Sequence, residues 1–168
     1  MDKFGRQSNV VLGIVGALIG AALGGVVWGI VYKLGYIAGI AGFAIVAGAF
    51  KGYELLGKAL DIKGVVISVL ISVVMIFVAQ YVSVALEVKT EYDAIYEEAV
   101  DECRMYGCLE DHEEELEEFK MSFTDVLEEL PDLMDEADAW GDFISDLVVG
   151  YIFSILCAGS YIVKKAKQ

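Results

Sequence analysis

Asp146 is an ionisable side chain inside an otherwise charge-free run, Phe143–Val163. Burying a carboxylate in an apolar helix costs several kcal/mol unless water, a cation or a polar group reaches it, so such a residue marks ion or proton chemistry by default. Polar residues recur at compatible positions elsewhere. Ser68, Ser72, Gln80 and Ser83 fall near one stripe of the run Gly64–Leu86, and Glu87 extends it. Asp142, Asp146, Gly150 and Ser154 share a second stripe, spaced by four. Counted inward from the outer ends of the two runs, an antiparallel pair sets Asp146 beside Gln80 and Ser83. Asp146, Gln80, Ser83, Asp142 and Glu87 are therefore the expected ion-pathway residues. The competing reading is a boundary carboxylate or a helix-packing contact.

A second group surrounds Gly107. Cys103 and Cys108 can bridge only if a helix breaks between them, because five residues apart on a regular helix leaves the α-carbons too distant. A disulfide, free thiols and a metal site are the three readings. His112 adds a C-x4-C-x3-H spacing, which lacks the paired ligands of strong zinc motifs. No metal or other cofactor is expected. Glu110–Glu118 holds seven acids in nine residues and reads as a solvated helix face or a diffuse cation collector, without the ligand spacing of an EF-hand.

Enzymatic readings lack their parts. The single histidine is His112. No base stands near a membrane serine, Asp146 has no second intramembrane carboxylate to share a proton with, and there is no phosphate-binding or dinucleotide-binding glycine loop. The chain is expected not to be an enzyme.

These residues need elements to hold them, and composition shows which. The 168 residues are 57% apolar with mean hydropathy +0.60, yet the formal charge is −14. The two properties are segregated. Glu87–Asp142 carries 22 acids against 3 bases, whereas the rest carries 4 acids and 9 bases. Such a chain is neither a soluble enzyme domain, nor a nucleic-acid binder, nor disordered. It is an integral membrane protein with one acidic insert.

Val10–Tyr32, Gly64–Leu86 and Phe143–Val163 are each long enough to cross a bilayer as helices. Leu34–Phe50, with 17 charge-free residues, crosses if Lys33 and Lys51 snorkel to the interfaces, and is otherwise re-entrant. The first run is twice the length of a secretory leader core and reads as an uncleaved helix. Lys3 and Arg6, then Lys51, Lys58 and Lys63, then Lys164, Lys165 and Lys167 all fall on one side if four helices cross. The positive-inside rule makes that side cytoplasmic, with both termini inside and residues 87–142 outside.

Thirteen of the 18 glycines precede Lys63. Gly16, Gly20 and Gly24 are spaced by four, and Gly35 and Gly39 repeat the spacing. Small residues on one helix face let backbones approach closely. This glycine zipper packs the first two helices as a hairpin or joins copies of the chain into a homo-oligomer. Trp28, Tyr32 and Tyr36, with Phe50 and Tyr53, read as interfacial aromatic belts.

In the insert, Val88, Tyr92, Ile95, Ala99, Cys103 and Tyr106 recur at helical steps, so the third span continues outward and stops near Gly107. Leu116, Phe119, Phe123, Val126 and Leu130 form another stripe, with a break or restart expected at Pro131.

The stretch Gly13–Lys58, through Gly16–Ala17, Trp28–Gly29–Ile30, Tyr36–Ile37 and Lys51–Gly52–Tyr53, resembles the front half of small, uncharacterised, glycine-rich bacterial integral membrane proteins. The resemblance covers the first third of the chain and implies a membrane location but no activity.

The expected architecture is all-α and polytopic: a membrane domain over 1–86 (helices about 10–32, 34–50 and 64–86), an acidic helical extracytoplasmic insert over 87–142, and a fourth helix with a basic tail over 143–168. Its expected partners are the lipid bilayer, further copies or other membrane helices, and cations, but no nucleic acid. Two functions follow: a cation-handling channel or transporter subunit, or a non-catalytic assembly protein whose acidic ectodomain binds a basic partner.

Overall fold

A computed structural model describes residues 9–34, 39–108, 116–117 and 120–166, and over these the chain is all-α. Five helices are present among the described residues: α1 (Val10–Lys33), α2 (Gly39–Gly57), α3 (Ile62–Tyr106), α4 (Phe123–Glu136) and α5 (Trp140–Ala166).

Local chemistry sets most of their ends. Asn9 caps α1 by accepting from the Leu12 N–H at 3.2 Å. Its own N–H donates to the Gly57 carbonyl at 3.1 Å, tying the start of α1 to the end of α2. Lys58, at φ 68°, ends α2 in the left-handed region. Asp61 then caps α3, its carboxylate accepting from the Gly64 N–H at 2.8 Å. Ser122 and Asp125 form a reciprocal capping box at the start of α4.

Three helices, α1, α3 and α5, are long and apolar enough to cross a membrane. Helix α2 is not among them. The expected 34–50 segment is displaced: the helix begins at Gly39 and runs on through Lys51 and Glu54 to Gly57. Its apolar residues have another use. Ala41, Ile45, Val46, Ala49, Phe50 and Tyr53 are all buried, against helices rather than lipid. Residues 35–38, which hold Gly35 and Tyr36, lie outside the described residues, as do most of Glu110–Glu118, His112 and the basic N-terminus.

The chain forms two compact units, residues up to Tyr81 with those from Gly141 onward, and Val82–Trp140. The outer surface of the first unit is apolar, unlike that of a water-soluble domain. Ser68, Ser72, Gln80 and Ser154 are buried, while Leu23, Val74 and Ile155 are 65%, 63% and 70% exposed. Large apolar residues over the outer surface, with small and polar residues among the buried ones, suit a bundle in a solvent as apolar as its own side chains.

The glycines of α1 face α2. A β-carbon on Gly16 would lie 2.1 Å from the Gly52 carbonyl oxygen, and one on Gly20 would lie 2.0 Å from that of Gly48. One on Gly24 would lie 2.5 Å from the Ile45 α-carbon. The two backbones are in direct contact, and the glycine face of α1 is covered within the chain. On α2 the partners are Gly48 and Gly52. Gly42, also on α2, faces α5, where a β-carbon would meet the Gly150 carbonyl oxygen at 2.6 Å.

The second unit begins within α3, which is unbroken over 45 residues, about 68 Å at the helical rise. It ends where Gly107 adopts φ 71°. In α4, Val126, Leu130 and Met134 form the buried stripe. Pro131 does not break this helix but sits inside it: its fixed φ is helical, and the capping box and buried stripe hold the flanking turns. Lys120 Nζ lies 5.8 Å from the centre of the Tyr96 ring.

Candidate functional site

The polar residues of α3 and α5 meet inside the first unit. The Gln80 side chain is 1% exposed. Its Nε2 donates to Asp146 Oδ2 at 3.3 Å, and its Oε1 accepts from Trp28 Nε1 at 3.1 Å. Indole nitrogen is a donor only, so the carbonyl of Gln80 must turn toward it and the amide NH2 toward the carboxylate. The result is a directed chain from α1 through α3 to α5.

Helix periodicity explains why these residues converge. On α5, Asp146, Gly150 and Ser154 run along the face turned to the other helices. Asp142 stands exposed in the first turn, where a carboxylate complements the helix dipole. Asp146, one turn in, meets Gln80. Gly150 makes room for Trp28: a β-carbon there would lie 2.6 Å from the indole Cη2. Ser154 donates to the Gly150 carbonyl at 2.7 Å and reaches the Gly42 carbonyl of α2 at 3.4 Å. On α3, Ser72 is occupied locally, donating to the Ser68 carbonyl at 2.8 Å. Ser83 is buried and Glu87 exposed on the continuation of α3, and both belong to the second unit.

Trp28 is the residue that sequence reasoning misplaced. It is fully buried and bonded to Gln80, not part of an interfacial belt. Phe50 and Tyr53 are likewise fully buried. Phe50 packs on Tyr161, ring centres 4.8 Å apart. The Tyr53 ring lies against Gly13 and Gly64. Near them Glu54 accepts from the Tyr161 hydroxyl at 3.2 Å and pairs with Lys51 at 3.4 Å. The available signal was depth: Trp28, Gln80 and Asp146 lie at similar distances from the ends of their runs.

Chemically, the site presents one half-buried carboxylate, oriented by an amide donor. Among the described residues no cluster of three or more His, Cys, Asp or Glu could hold a metal ion. The cysteines at the end of α3 carry thiols, without a disulfide. No protein-family model, curated protein or solved structure matches this chain.

Proposed function

We propose that this chain is a multi-pass membrane protein of four crossing helices that handles cations, with Asp146 as the binding carboxylate. Helix α2 crosses at the centre, shielded from lipid by the other three. Both termini lie on the cytoplasmic side, and residues 87–142 stand in the exterior water. The observation that carries the reading is the buried Gln80 amide, locked between Trp28 and Asp146. Such a network holds a half-buried carboxylate in one orientation against an apolar bundle, an arrangement in keeping with ion or proton binding. The acids of the insert attract cations from the surrounding water. Trp28, Ile45, Phe50, Tyr53 and Ile76 fill the core of the bundle, and the α1 glycines are already covered. A pathway through one copy has no room there, so the permeating unit is an oligomer in which Asp146, half-buried on α5, lines the shared pathway. The role is not enzymatic. Flux of monovalent cations or protons into proteoliposomes tests this: wild type conducts and Asp146→Asn loses about tenfold or more, whereas equal flux in both rejects it.

The second reading, an assembly protein with a basic partner, draws on one observation. Glu97, Glu98, Asp101 and Glu102 line a shallow groove on α3 with Ala94 and Met105. Charge reversal of these four that abolishes partner binding while wild-type liposomes show no flux favours it.

A further inference from the structure

The end of α3 places two thiols where a disulfide can close. Gly107 is in the left-handed region at φ 71°, and the Cys108 N–H donates to the Cys103 carbonyl at 3.0 Å. This six-to-one hydrogen bond is that of a Schellman turn, in which the residue after the glycine folds back over the one five positions earlier and their side chains commonly touch. A straight helix would hold the two residues apart; the turn removes that obstacle. Adding standard bond lengths to the 3.0 Å hydrogen bond limits the separation of the two α-carbons to about 7 Å even in the collinear extreme, and bent geometry brings it within disulfide reach. The Cys108 Sγ already lies on the Cys103 side of the turn, 3.5 Å from the Cys103 carbonyl oxygen. Both side chains are half-buried, open to a small reagent.

We infer that Cys103 and Cys108 form a reversible disulfide that staples the C-terminus of α3, by exchange with a low-molecular-weight disulfide of the glutathione class. One cysteine thiolate attacks the reagent, forming a mixed disulfide and expelling a glutathione thiolate. The other cysteine thiolate attacks the chain's own sulfur in that mixed disulfide and expels the second glutathione thiolate. The two thiolates take up the protons released by the cysteines. One S–S bond is lost and one gained: the chain is oxidised by two electrons and glutathione disulfide is reduced by two. In the oxidised form the direction in which the chain leaves α3 is covalently fixed; in the reduced form it rests on the turn's hydrogen bonds. The inference stands independently of the cation site, since neither cysteine touches it.

The full-length protein in nanodiscs, equilibrated in graded mixtures of reduced and oxidised glutathione, tests it. The chain is expected to lose the mass of two hydrogens, and trypsin cleavage after Arg104 leaves the two halves joined until reductant is added. Cys103→Ser and Cys108→Ser each abolish the product, while Cys157→Ser, at a buried thiol on α5, leaves it unchanged. Gly107→Ala, which keeps both thiols but strains the turn, lowers the equilibrium constant for closure roughly five- to thirtyfold. Complete alkylation of both thiols after oxidation, separate glutathione adducts on each, or only chain-to-chain dimers would overturn the inference. Closure unaffected by Gly107→Ala would overturn the role given to the turn.

Discussion

The Trp28 indole N–H and the Gln80 carbonyl oxygen are joined across 3.1 Å and 52 positions of sequence, and both side chains are buried. This bond decides which way the Gln80 amide points and therefore what Asp146 meets. Trp28→Phe keeps most of the ring volume but removes this donor, leaving a buried carbonyl facing an apolar edge. The expected loss is about 1–2 kcal/mol, because leaving a buried acceptor unsatisfied costs more than the bond contributes. Denaturation in mixed micelles measures it, and a variant as stable as wild type would show that the bond contributes nothing.

The α1–α2 contact predicts a sharp positional contrast. A β-carbon on Gly52 would lie 1.9 Å from the Gly16 carbonyl oxygen, whereas one on Gly159 would meet nothing within 4 Å. Gly52→Ala must push two backbones apart and is expected to destabilise by about 1–3 kcal/mol, the usual cost of overpacking. Gly159→Ala is expected to be neutral or slightly stabilising, since alanine favours helix more than glycine does. Unfolding curves that rank the two variants in the opposite order would remove the tight hairpin.

Capping at α4 carries a pH signature. The hydroxyl and the N–H of Ser122 hold the Asp125 carboxyl below its ordinary value. A carboxylate with a lowered native value contributes stability above the unfolded-chain value, and that contribution is lost as pH falls through the native value. The protection factors of the first amides of α4 should therefore fall below about pH 4, where carboxylates begin to protonate. Asp125→Asn should remove that acid-dependent step. Protection that is flat from pH 6 to 3 in the wild-type chain would contradict the cap.

Much of this architecture could be read from spacing alone. The extension of α3 beyond the apolar run followed from Val88, Tyr92, Ile95, Ala99 and Cys103, and its stop from Gly107, because helical period and a left-handed glycine are local properties. The meeting of Gln80 with Asp146 followed from counting depth in two antiparallel runs. Trp28, Phe50 and Tyr53 were not legible in the same way. An aromatic near the end of an apolar run suits an interface and a packed core equally, and only the glycines opposite (Gly150 for Trp28, Gly13 and Gly64 for Tyr53) distinguish them. The bounds of α2 were obscured because charge-free length measures fitness for lipid, whereas this helix is buried by protein and tolerates Lys51 and Glu54 at its end. Gly48 and Gly52 carried the same four-residue spacing as Gly16 and Gly20 and marked the true partner face. Pro131 misled because its ring forbids one hydrogen bond but not the helical φ.

Threading through the bilayer is open to direct labelling. With Cys103 and Cys108 replaced by serine, an engineered cysteine at Glu128, exposed on α4, should react with a membrane-impermeant maleimide on intact cells. One at Gln168 should react only after permeabilisation. The reverse pattern would place the acidic insert in the cytoplasm.

The most direct measurement is infrared difference spectroscopy of the nanodisc-embedded protein as cations are exchanged or protons added. A carboxylate difference band is expected that disappears in Asp146→Asn, shifts in Gln80→Leu as the amide donor is lost, and survives in Asp142→Asn. A difference spectrum unchanged by Asp146→Asn would contradict the assignment of Asp146 as the cation-binding group.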